Sequence, residues 1–402
     1  MSPTRPRVLF VAPVEPWCRE NGASVITADL LHGLARVGGA DVLPIFLRRP
    51  PAGYRSDAPA GLVGIQLGLE GVPKWVSVAK ALATGSTPMR LRFDNARVAA
   101  LVEQTTRARG FRPTVVHVEH LPLVDIGIAL ARAFRVPLVY RSHNHEALLL
   151  ERRLAMRGPL ARMMVGLMAR AEAKAAEACD LTLCISQGDL DWVHRHARAA
   201  RAELFPCSLL LDRYDALSSH PRASAPTIGF AGGLDWAPNL VGLRWFVQEC
   251  LPLVIAARPD ARLAVLARGA AAQPWLAGHQ AVDILPDGGD ARELFASSWV
   301  TLAPLLQGGG VRIKIPESLA LGCPVVATTI GAEGHDLPAI DRADEPRSFA
   351  EACVRRLAAP PDANARAALR SAVDARHGAT VLGERLVARW SELALAGSRE
   401  GA

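Results

Sequence analysis

The segment Leu305–Thr329 reads LLQGGGVRIKIPESLALGCPVVATT and places three consecutive glycines, an arginine and a lysine between two apolar runs. It directly follows WVTLAP (299–304), a run that is predicted as a strand, so the glycines lie in a loop at a strand's carboxyl end. Glycine lets backbone N–H groups approach a ligand without a Cβ in the way. The segment therefore predicts an anion-binding loop, with a phosphate or diphosphate as the natural ligand.

Two cations follow the glycines directly, Arg312 and Lys314. Lysine occurs in this chain only at positions 74, 80, 174 and 314. Because lysine is so rare here, a lysine beside the glycines indicates a specific role for Lys314. The alternative is a common glycine-rich turn, in which Glu317 is a first-turn carboxylate that favours the helix dipole. The loop is not a Walker A motif, because G-x-x-x-x-G-K-[ST] does not occur.

Strand and helix patterns alternate twice along the chain. In the first half, strands are predicted at 7–12, 41–47, 114–118, 137–141 and 181–185, and helices at 23–36, 91–109, 122–134 and 145–178. In the second half, strands are predicted at 227–231, 262–267, 282–285, 299–304 and 324–329, and helices at 239–257, 290–297, 312–321, 347–358 and 380–396. Continuous apolar runs indicate parallel strands that are covered on both faces.

A chain of 402 residues exceeds what one hydrophobic core usually serves. We predict an α/β protein with two Rossmann-like, doubly wound domains that face a cleft. The first domain covers residues 1–208, a linker 209–226, and the second domain 227–378. The last helix, 379–402, is expected to pack on one of the two domains, either on the second or back on the N-terminal domain. Ligands of such sheets lie outside the carboxyl ends of the strands, where the loops above are placed.

The composition is that of an ordinary globular protein, with 50% apolar and 21% charged residues. A formal net charge of +7 favours acidic partners, but dispersed arginines without a recognised motif argue against nucleic acid. No signal peptide is recognised, and no uninterrupted apolar run approaches the about 18 residues that span a bilayer. Seven scattered cysteines without a C-x-x-C pair favour a cytoplasmic protein with reduced, mostly buried thiols.

Four segments resemble, in order and spacing, the family 4-type glycosyltransferases of GT-B fold (glycosyl transferases group 1). They are APLLQGGGVRIKIPESLALGCPVVATTIGAEG (303–334), IGFAGGLDWAPN and its continuation (228–269), RVLFVAPVEPWCRENGAS and its continuation (7–42), and CISQGDLDWV (184–193). The resemblance implies an enzyme that transfers a sugar from a nucleotide-sugar donor with retention of anomeric configuration. It implies that the first domain lies on the acceptor side and that the second binds the donor, without an essential metal or cofactor.

The resemblance also assigns donor-binding residues. Glu317 matches the second glutamate of the family's E-x7-E pattern, which typically binds the ribose, whereas the first glutamate is replaced by Gly309. The chain therefore lacks the carboxylate that the resemblance places at one donor-sugar contact. Arg312 and Lys314 are expected to stabilise the leaving diphosphate and are therefore assigned as catalytic. The other donor-binding residues predicted are Asn21, Gly22, Gly233, Asn239, Gly308, Gly309 and Gly310, although a helix-entry turn is the alternative reading of Asn21 and Gly22.

On the acceptor side, HVEHLP (117–122) and YRSHNHE (140–146) each follow a predicted strand. His120 is assigned as the active-site histidine of the family, with His117 or Glu119 as alternatives. His143, Asn144 and Glu146 resemble an H-N-x-E element that lines the acceptor side, and the alternative for Asn144 is a helix cap. The histidines of these two loops lack a recognised ligand spacing, so no metal site is predicted.

Two alternative functions remain open at this point. A nucleotide-sugar epimerase of similar architecture would need no acceptor, and a non-catalytic homologue that binds sugar-nucleotide or glycan would tolerate the missing glutamate. An NAD-dependent dehydrogenase is disfavoured because the first strand is not followed by G-x-G-x-x-G. The acceptor is expected to be a glycan, a lipid-linked molecule or a small molecule. The basic amphipathic stretch 148–177 either contacts the inner face of a membrane or packs on its own domain.

Overall fold

The computed structural model of this protein describes residues 5–19, 22–50, 56–84, 87–153 and 158–400. The chain forms two compact units, of which unit 1 comprises Met1–Leu210 with Ala379–Ala402 and unit 2 comprises Leu211–Gly378. Each unit contains one parallel β-sheet, and helices connect most of its successive strands. The prediction of two Rossmann-like α/β domains is confirmed.

Unit 1 is built on a sheet of strand order β3-β2-β1-β4-β5-β6-β7, and every neighbouring pair is parallel. Its strands are β1 (Arg7–Val14), β2 (Asp41–Arg48), β3 (Ile65–Gln66), β4 (Val115–Glu119), β5 (Leu138–Ser142), β6 (Leu181–Cys184) and β7 (Ala202–Leu204). Its helices are α1 (Gly22–Val37), α2 (Lys74–Thr84), α3 (Asn95–Ala108), α4 (Val124–Phe134), α5 (Glu146–Arg153), α6 (Pro159–Glu177) and α7 (Gln187–His196).

Strand β1 shows why the apolar runs are continuous. Successive side chains point to opposite faces of a sheet. Leu9 and Val11 enter one hydrophobic core of unit 1, whereas Val8 and Phe10 enter the other. All four side chains are buried, so both faces of the strand need apolar residues.

Unit 2 has a sheet of strand order β10-β9-β8-β11-β12-β13, again with parallel neighbours throughout. Its strands are β8 (Thr227–Ala231), β9 (Arg262–Leu266), β10 (Val282–Ile284), β11 (Val300–Ala303), β12 (Val325–Ala327) and β13 (Ile340–Arg342). Its helices are α8 (Ala237–Trp245), α9 (Leu251–Ala257), α10 (Pro274–Ala277), α11 (Ala291–Ser297), α12 (Lys314–Ala320), α13 (Pro346–Arg356) and α14 (Ala363–His377). Helix α15 (Ala379–Glu400) then belongs to unit 1.

Two predicted helices are interrupted. The stretch 145–178 contains α5 and α6 as separate helices, and α6 begins after Gly158 with a proline in its first turn. The stretch 239–257 contains a π-helical turn at Phe246–Cys250 between α8 and α9. Pro252 lies in the first turn of α9, and because proline cannot donate a backbone hydrogen bond, the helical pattern changes in front of it.

Residues 211–226, which the sequence pattern assigned to a linker, pack within unit 2. They begin with a 3-10 helix, Leu211–Leu217, whose Tyr214 is fully buried. Arg222 donates to the carbonyl oxygens of Phe295, Ser298, Leu321 and Gly322 at 2.6–3.0 Å. Through these hydrogen bonds, Arg222 connects the carboxyl ends of α11 and α12.

Within the described residues, one helical stretch, Ala237–Ala257, is apolar and long enough to be considered for a membrane span. Its apolar side chains Leu243, Phe246, Leu251 and Val254 are buried in the core of unit 2. A core helix passes the same test of length and composition, and the packing of these side chains accounts for the apolar character of this one.

Candidate functional site

The predicted functional loops lie where the strand order of each sheet reverses. This point falls between β1 and β4 in unit 1 and between β8 and β11 in unit 2. Crossover helices leave toward opposite faces at such a point, which opens a crevice at the carboxyl ends of the strands. His120 follows β4, and the glycine loop with Arg312 and Lys314 follows β11.

The glycine loop of unit 2 requires glycine for its conformation. Gly308 and Gly310 have φ angles of 105° and 85°, values that residues with a Cβ rarely adopt. A Cβ on Gly308 would lie 3.2 Å from Cγ of Pro238. The loop therefore follows a backbone path that is open to few other residues.

Arg312 holds this loop together from within. Its Nη1 donates to the carbonyl oxygen of Gly309 at 2.6 Å and also to that of Gly310, and the guanidinium carbon lies 5.7 Å from the ring centroid of Trp236. The carbonyl oxygen of Arg312 accepts a hydrogen bond from the ring of His335 at 2.9 Å. Arg312 is buried and shapes the loop, while its contact with a diphosphate stays a prediction.

Lys314 reaches from the start of α12 to the carboxyl end of β8. Its Nζ donates to the carbonyl oxygen of Ala231 at 3.0 Å and to Oδ1 of Asn239 at 3.4 Å, and it lies 4.7 Å from the ring centroid of Phe230. Burial, together with the charge of Arg312, lowers the pKa of Lys314 to about 7. The amine is thus close to its midpoint of protonation at neutral pH.

Asn239, itself a predicted donor-binding residue, connects this lysine to a further one, Gly233. It is buried, and its Nδ2 donates to the carbonyl oxygen of Gly233 at 3.1 Å. At the neighbouring Gly232, φ is 151°, and a Cβ would lie 2.6 Å from Nδ2 of Asn239. The structure therefore brings Gly233, Asn239 and Lys314 together at the carboxyl edge of the unit 2 sheet.

Glu317 lies in the first turn of α12, three residues after Lys314, the first residue of the helix. Its Oε1 accepts a hydrogen bond of 2.9 Å from the hydroxyl group of Tyr214. Because Tyr214 is fully buried, it holds the carboxylate from the interior of unit 2. Glu317 itself is half-buried, so its other face is accessible to a ligand.

Unit 1 contains a cavity of about 310 Å³ at the corresponding edge of its sheet. It is lined by the end of β1, the first turns of α1 and the segment after β4. Ligand sites for small molecules begin at about this size. His120 and Glu146, two of the residues predicted on the acceptor side, both line it.

The backbone at His120 is strained. Its φ and ψ are 71° and 146°, a region that residues with a Cβ avoid and that often marks functional sites. The imidazole stacks on that of His143 with 3.8 Å between ring centroids. Burial, and next the charge of His143, lower the pKa of His120 well below its ordinary value, so the ring is neutral at pH 7.

Glu119 is the centre of a buried cluster behind this ring. Its Oε1 lies 3.0 Å from Nε2 of His117 and 3.6 Å from Nη1 of Arg141, and its Oε2 hydrogen-bonds to Nε2 of His143. Burial alone would raise the pKa of Glu119, but the charge of Arg141 and then the contacts with the two histidines lower it well below the ordinary range. The carboxylate is therefore ionised and supports His143, which in turn supports His120.

The three residues that the sequence left as alternatives differ in their surroundings, and which of them acts in the active site stays a prediction. His117 stacks on Phe10 at 4.8 Å and meets Trp390 edge-on at 5.5 Å, so it belongs to the core. Glu119 is fully buried. Of the three, His120 is the residue that lines the cavity.

Asn144 and Glu146 contact each other at the start of α5. Nδ2 of Asn144 donates to Oε1 of Glu146 at 3.2 Å. The first amides of the helix, those of Glu146 and Ala147, donate to the carboxylate of Glu172 at 2.6 and 3.0 Å. In this structure it is Glu172 on α6 that accepts these amides, and Asn144 faces Glu146 instead.

The loop after β1 is described only in part. Asn21 lies outside the described residues. Gly22 is the first residue of α1, and the following Ala23 and Ser24 line the cavity of unit 1. The predicted contact of Gly22 with the donor stays a prediction.

Sequence reasoning did not find several residues of these sites. Tyr214 lies in the segment that the sequence pattern assigned to a linker, and it contacts Glu317. Glu172 lies 26 positions after Glu146, whose amide it accepts. Arg141, although part of a quoted motif, was not assigned a role. Each acts through contacts between distant parts of the chain, and the polar residues inside apolar strands, such as Glu119 in VVHVE, were the available signal.

Two protein-family models match the chain. The model of Glycosyltransferase Family 4 matches residues 20–213, and that of Glycosyl transferases group 1 matches residues 225–359. The chain belongs to the GT-B glycosyltransferases of group 1, family 4 type. The family resemblance predicted from the sequence is thereby confirmed.

Solved glycosyltransferases of GT-B fold are similar over nearly the whole chain. A sucrose-phosphate synthase from Thermosynechococcus elongatus has a TM-score of 0.68 at 15% identity and covers 97% of this chain and 100% of its own. An α,α-trehalose 6-phosphate synthase from Burkholderia multivorans has a TM-score of 0.66 at 15% identity, with 97% and 99% covered. At this identity the similarity shows the fold.

A relative among curated proteins matches a shorter part of this glycosyltransferase. It is an uncharacterised 44.6 kDa protein in the cps region of Klebsiella pneumoniae, 26% identical over 114 residues. The match covers 26% of this chain and 29% of the relative. It therefore adds a relationship in sequence over about a quarter of each protein.

Proposed function

We propose that this protein is a retaining glycosyltransferase that moves a sugar from a nucleotide-sugar donor to a hydroxyl group of a glycan, lipid-linked or small-molecule acceptor. The observation that carries the proposal is the position of Lys314, held with Asn239 and Gly233 at the carboxyl edge of the unit 2 sheet. A cation at that edge, beside a glycine loop, is suited to a diphosphate. Membership of the family supports the same reading.

In this proposal unit 2 binds the donor. Lys314 and Arg312 supply positive charge to the diphosphate, and Glu317, oriented by Tyr214, binds the ribose. HepE from Anabaena, which has the same fold at a TM-score of 0.59, was solved in complex with UDP and glucose. A nucleoside diphosphate and a sugar are thus ligands of at least one protein of this fold.

The proposed reaction takes place on one face of the donor sugar. The bond between the anomeric carbon and the diphosphate oxygen breaks, and the acceptor oxygen forms the new bond on the same face. The acceptor proton passes to the leaving phosphate, and the nucleoside diphosphate is released. Groups that stabilise the developing negative charge therefore carry most of the catalysis.

Unit 1 supplies the acceptor side of the proposal, with His120 at the reaction centre and His143, Asn144 and Glu146 around it. Glu119 and His143 keep the ring of His120 in place. A neutral imidazole donates from one nitrogen and accepts at the other. His120 is therefore suited to hydrogen-bond a sugar hydroxyl group during transfer.

We also propose that the enzyme works in the cytoplasm, at or near the inner face of a membrane. Met163 and Met164 on α6 are 49% and 39% exposed, and Arg162 and Arg170 on the same helix are exposed as well. Exposed apolar side chains beside arginines favour an anionic lipid surface. Co-sedimentation with phosphatidylglycerol vesicles should fall in Met163→Ser/Met164→Ser, and unchanged co-sedimentation would remove this surface from the proposal.

The function is tested by a thermal-shift screen with UDP-, GDP-, ADP- and dTDP-sugars, followed by product analysis with the best stabiliser. A ligand that binds only the folded state raises its stability according to its affinity. We expect one nucleotide to stabilise the protein, and Arg312→Ala/Lys314→Ala to abolish both this shift and donor turnover. Lys174→Ala/Arg347→Ala removes the same charges at exposed positions and should leave both unchanged.

The products separate the alternatives. A transferase consumes donor only by transfer or slow hydrolysis and releases a nucleoside diphosphate, whereas an epimerase converts one nucleotide-sugar into another. Binding without any turnover would support the non-catalytic homologue. Undiminished donor turnover in Arg312→Ala/Lys314→Ala would contradict the assigned role of both residues.

A further inference from the structure

The cavity of unit 1 contains two arginines that the proposed reaction does not use. Arg48 is the last residue of β2, and Arg92 follows the turn after α2. Neither has an ion-pair partner among the residues that the structure describes. By contrast Arg90, two positions before Arg92, forms a bidentate ion pair with Asp125.

The rest of the cavity lining does not balance this charge. Glu146 is the carboxylate among the described lining residues, and it accepts a hydrogen bond from Asn144. Helix α1 begins at the cavity and has no acidic residue in its first turn. The lowered pKa of His120 keeps that ring neutral at pH 7. The cavity therefore carries a net positive charge.

Both arginines are placed by fixed backbone. Arg48 lies opposite Val14 in the parallel register of β2 and β1, and Val14 also lines the cavity. The carbonyl oxygen of Arg92 accepts the amide of Val72 at 2.9 Å. A Cβ on Gly71 would lie 3.0 Å from Nε of Arg92, so the guanidinium rests on that glycine. Two guanidinium groups at one cavity, that of Arg92 resting on Gly71 and that of the exposed Arg48 held only through its backbone, suit an oxyanion that accepts several hydrogen bonds.

We propose that Arg48 and Arg92 bind a phosphate group of the acceptor, so that the enzyme glycosylates a phosphorylated molecule. This inference rests on the proposed function of the same cavity. The phosphate can belong to a soluble sugar phosphate or to a phosphorylated lipid carrier, since the chemistry of recognition is shared. Glu146 and His120, on the same cavity, then face the acceptor's hydroxyl groups.

The test uses the full-length protein saturated with its donor nucleoside diphosphate, and glucose 6-phosphate, glucose and inorganic phosphate as probes. We expect glucose 6-phosphate to bind at least tenfold more tightly than glucose, and inorganic phosphate to compete with it. In Arg48→Gln/Arg92→Gln this preference should fall at least tenfold. Vesicles that contain phosphatidic acid, compared with phosphatidylcholine alone, reveal whether a lipid phosphate is preferred to a soluble one.

Arg49→Gln/Arg97→Gln is the matched control, because it removes the same charge at exposed neighbouring positions. This variant should keep the preference for phosphate. Stabilisation by the donor nucleotide should be the same in all three proteins, which separates this inference from the assignment of the donor site and reports that the variants fold. Equal binding of glucose and glucose 6-phosphate, with no preference for phosphatidic acid vesicles, would overturn the proposal. A phosphate preference that survives in Arg48→Gln/Arg92→Gln would also overturn it.

Discussion

His120 adopts φ 71° and ψ 146°, which costs a residue with a Cβ about 1–3 kcal/mol. The ring stacks on His143 and lines the cavity of unit 1. If the imidazole only filled space, glycine would adopt this backbone without strain, at little net cost in the free energy of unfolding. The strain therefore favours a role for the imidazole itself.

We predict that His120→Gly separates stability from activity. The free energy of unfolding should stay within about 1 kcal/mol of the wild type, because relief of strain offsets the lost ring stacking. Sugar transfer should fall about tenfold or more, since one hydrogen bond in the transition state is lost, and nucleotide binding should not change. Urea unfolding, steady-state kinetics and calorimetry measure the three quantities.

Arg135→Gly is the control for this prediction. Arg135, with φ 56° and ψ 53° after α4, is exposed and left-handed, so its replacement also places glycine at a positive-φ position without touching the cavity. It should leave transfer unchanged. Wild-type transfer by His120→Gly would remove His120 from the active site.

From the lowered pKa of Lys314 we predict that donor binding depends on pH. Its pKa of about 7 means that the free enzyme loses this charge as the pH rises above 7, while a terminal phosphate with a pKa of about 6 is already ionised. Binding of a diphosphate then requires proton uptake. The affinity should fall by up to about tenfold per pH unit between pH 7.5 and 9.5.

Calorimetry with the nucleoside diphosphate of the donor, in buffers of different ionisation enthalpy, measures both the affinity and the proton uptake. In Lys314→Met the affinity should be lower at pH 7 and flat across this range. An affinity of the wild type that does not change from pH 7.5 to 9.5 would show that Lys314 does not bind the diphosphate.

At the scale of elements, the start of α5 is fastened to α6 by Glu172. The buried carboxylate accepts two amides of α5, and Oε2 lies 3.5 Å from Nε2 of His145. Burial raises the pKa of Glu172 to about 8 in spite of these hydrogen bonds. The loop that presents Asn144 and Glu146 therefore rests on a titratable group.

The sign of the resulting pH effect follows from linkage. The pKa of Glu172 is raised on folding, so the folded state binds more protons than the unfolded state between about pH 4.5 and 8. The contribution of Glu172 to the free energy of unfolding should be largest below pH 4.5 and should decrease as the pH rises through 8. Glu172→Gln should lack this decrease, measured by urea unfolding at pH 5.5, 7 and 8.5.

Glu177→Gln provides the comparison, because Glu177 is exposed on the same helix. The free energy of unfolding of Glu177→Gln should change with pH in the same way as that of the wild type. A constant difference between the wild type and Glu172→Gln across the three pH values would contradict the raised pKa.

Elements with a strong local pattern could be predicted from the sequence. The eight-residue β1 has apolar residues for both cores and was expected, whereas the edge strands β3, β7 and β13 have two or three residues and almost no pattern. Helix α14 was missed because its sequence, ANARAALRSAVDARH, has only two large apolar side chains, Leu369 and Val373, and both are buried. Short or polar elements depend on their neighbours for stability, which a local reading does not contain.

The same distinction applies to the site. Gly308, Lys314 and Glu317 lie close together in the sequence, so the local sequence alone could predict an anion-binding loop, and the family resemblance added its assignment to the donor. Tyr214 lies 103 positions before Glu317, and Arg222 binds carbonyls as many as 100 positions away. These partners are defined by the packing of unit 2, and only the structure brings them together.

At the scale of the whole molecule, the order of the chain makes the two units unequal. Unit 2 is continuous from Leu211 to Gly378, whereas unit 1 is completed by α15 from the end of the chain. Four side chains of α15, Leu382, Leu386, Trp390 and Leu393, are buried in a core of unit 1. At about 1.5–3 kcal/mol for each such side chain, the helix contributes on the order of 10 kcal/mol.

That contribution is comparable with the whole stability of a domain, about 5–15 kcal/mol. We therefore predict that residues 1–210 alone do not fold cooperatively, and that 1–210 joined to 379–400 by a flexible linker do. Residues 211–378 alone should fold and should bind the donor nucleotide, because the described residues assigned to the diphosphate and ribose in that unit lie within one continuous segment. Circular dichroism with urea unfolding, and calorimetry for the nucleotide, measure these outcomes.

Single substitutions on α15 test the same point in the full chain. Trp390→Ala should cost about 3–5 kcal/mol, because the indole is fully buried and packs edge-on against His117. Leu395→Ala, at a position that is 46% exposed, should cost less than about 1 kcal/mol. A cooperative unfolding transition of residues 1–210 without α15, or a small effect of Trp390→Ala, would mean that unit 1 is complete before the chain has passed through unit 2.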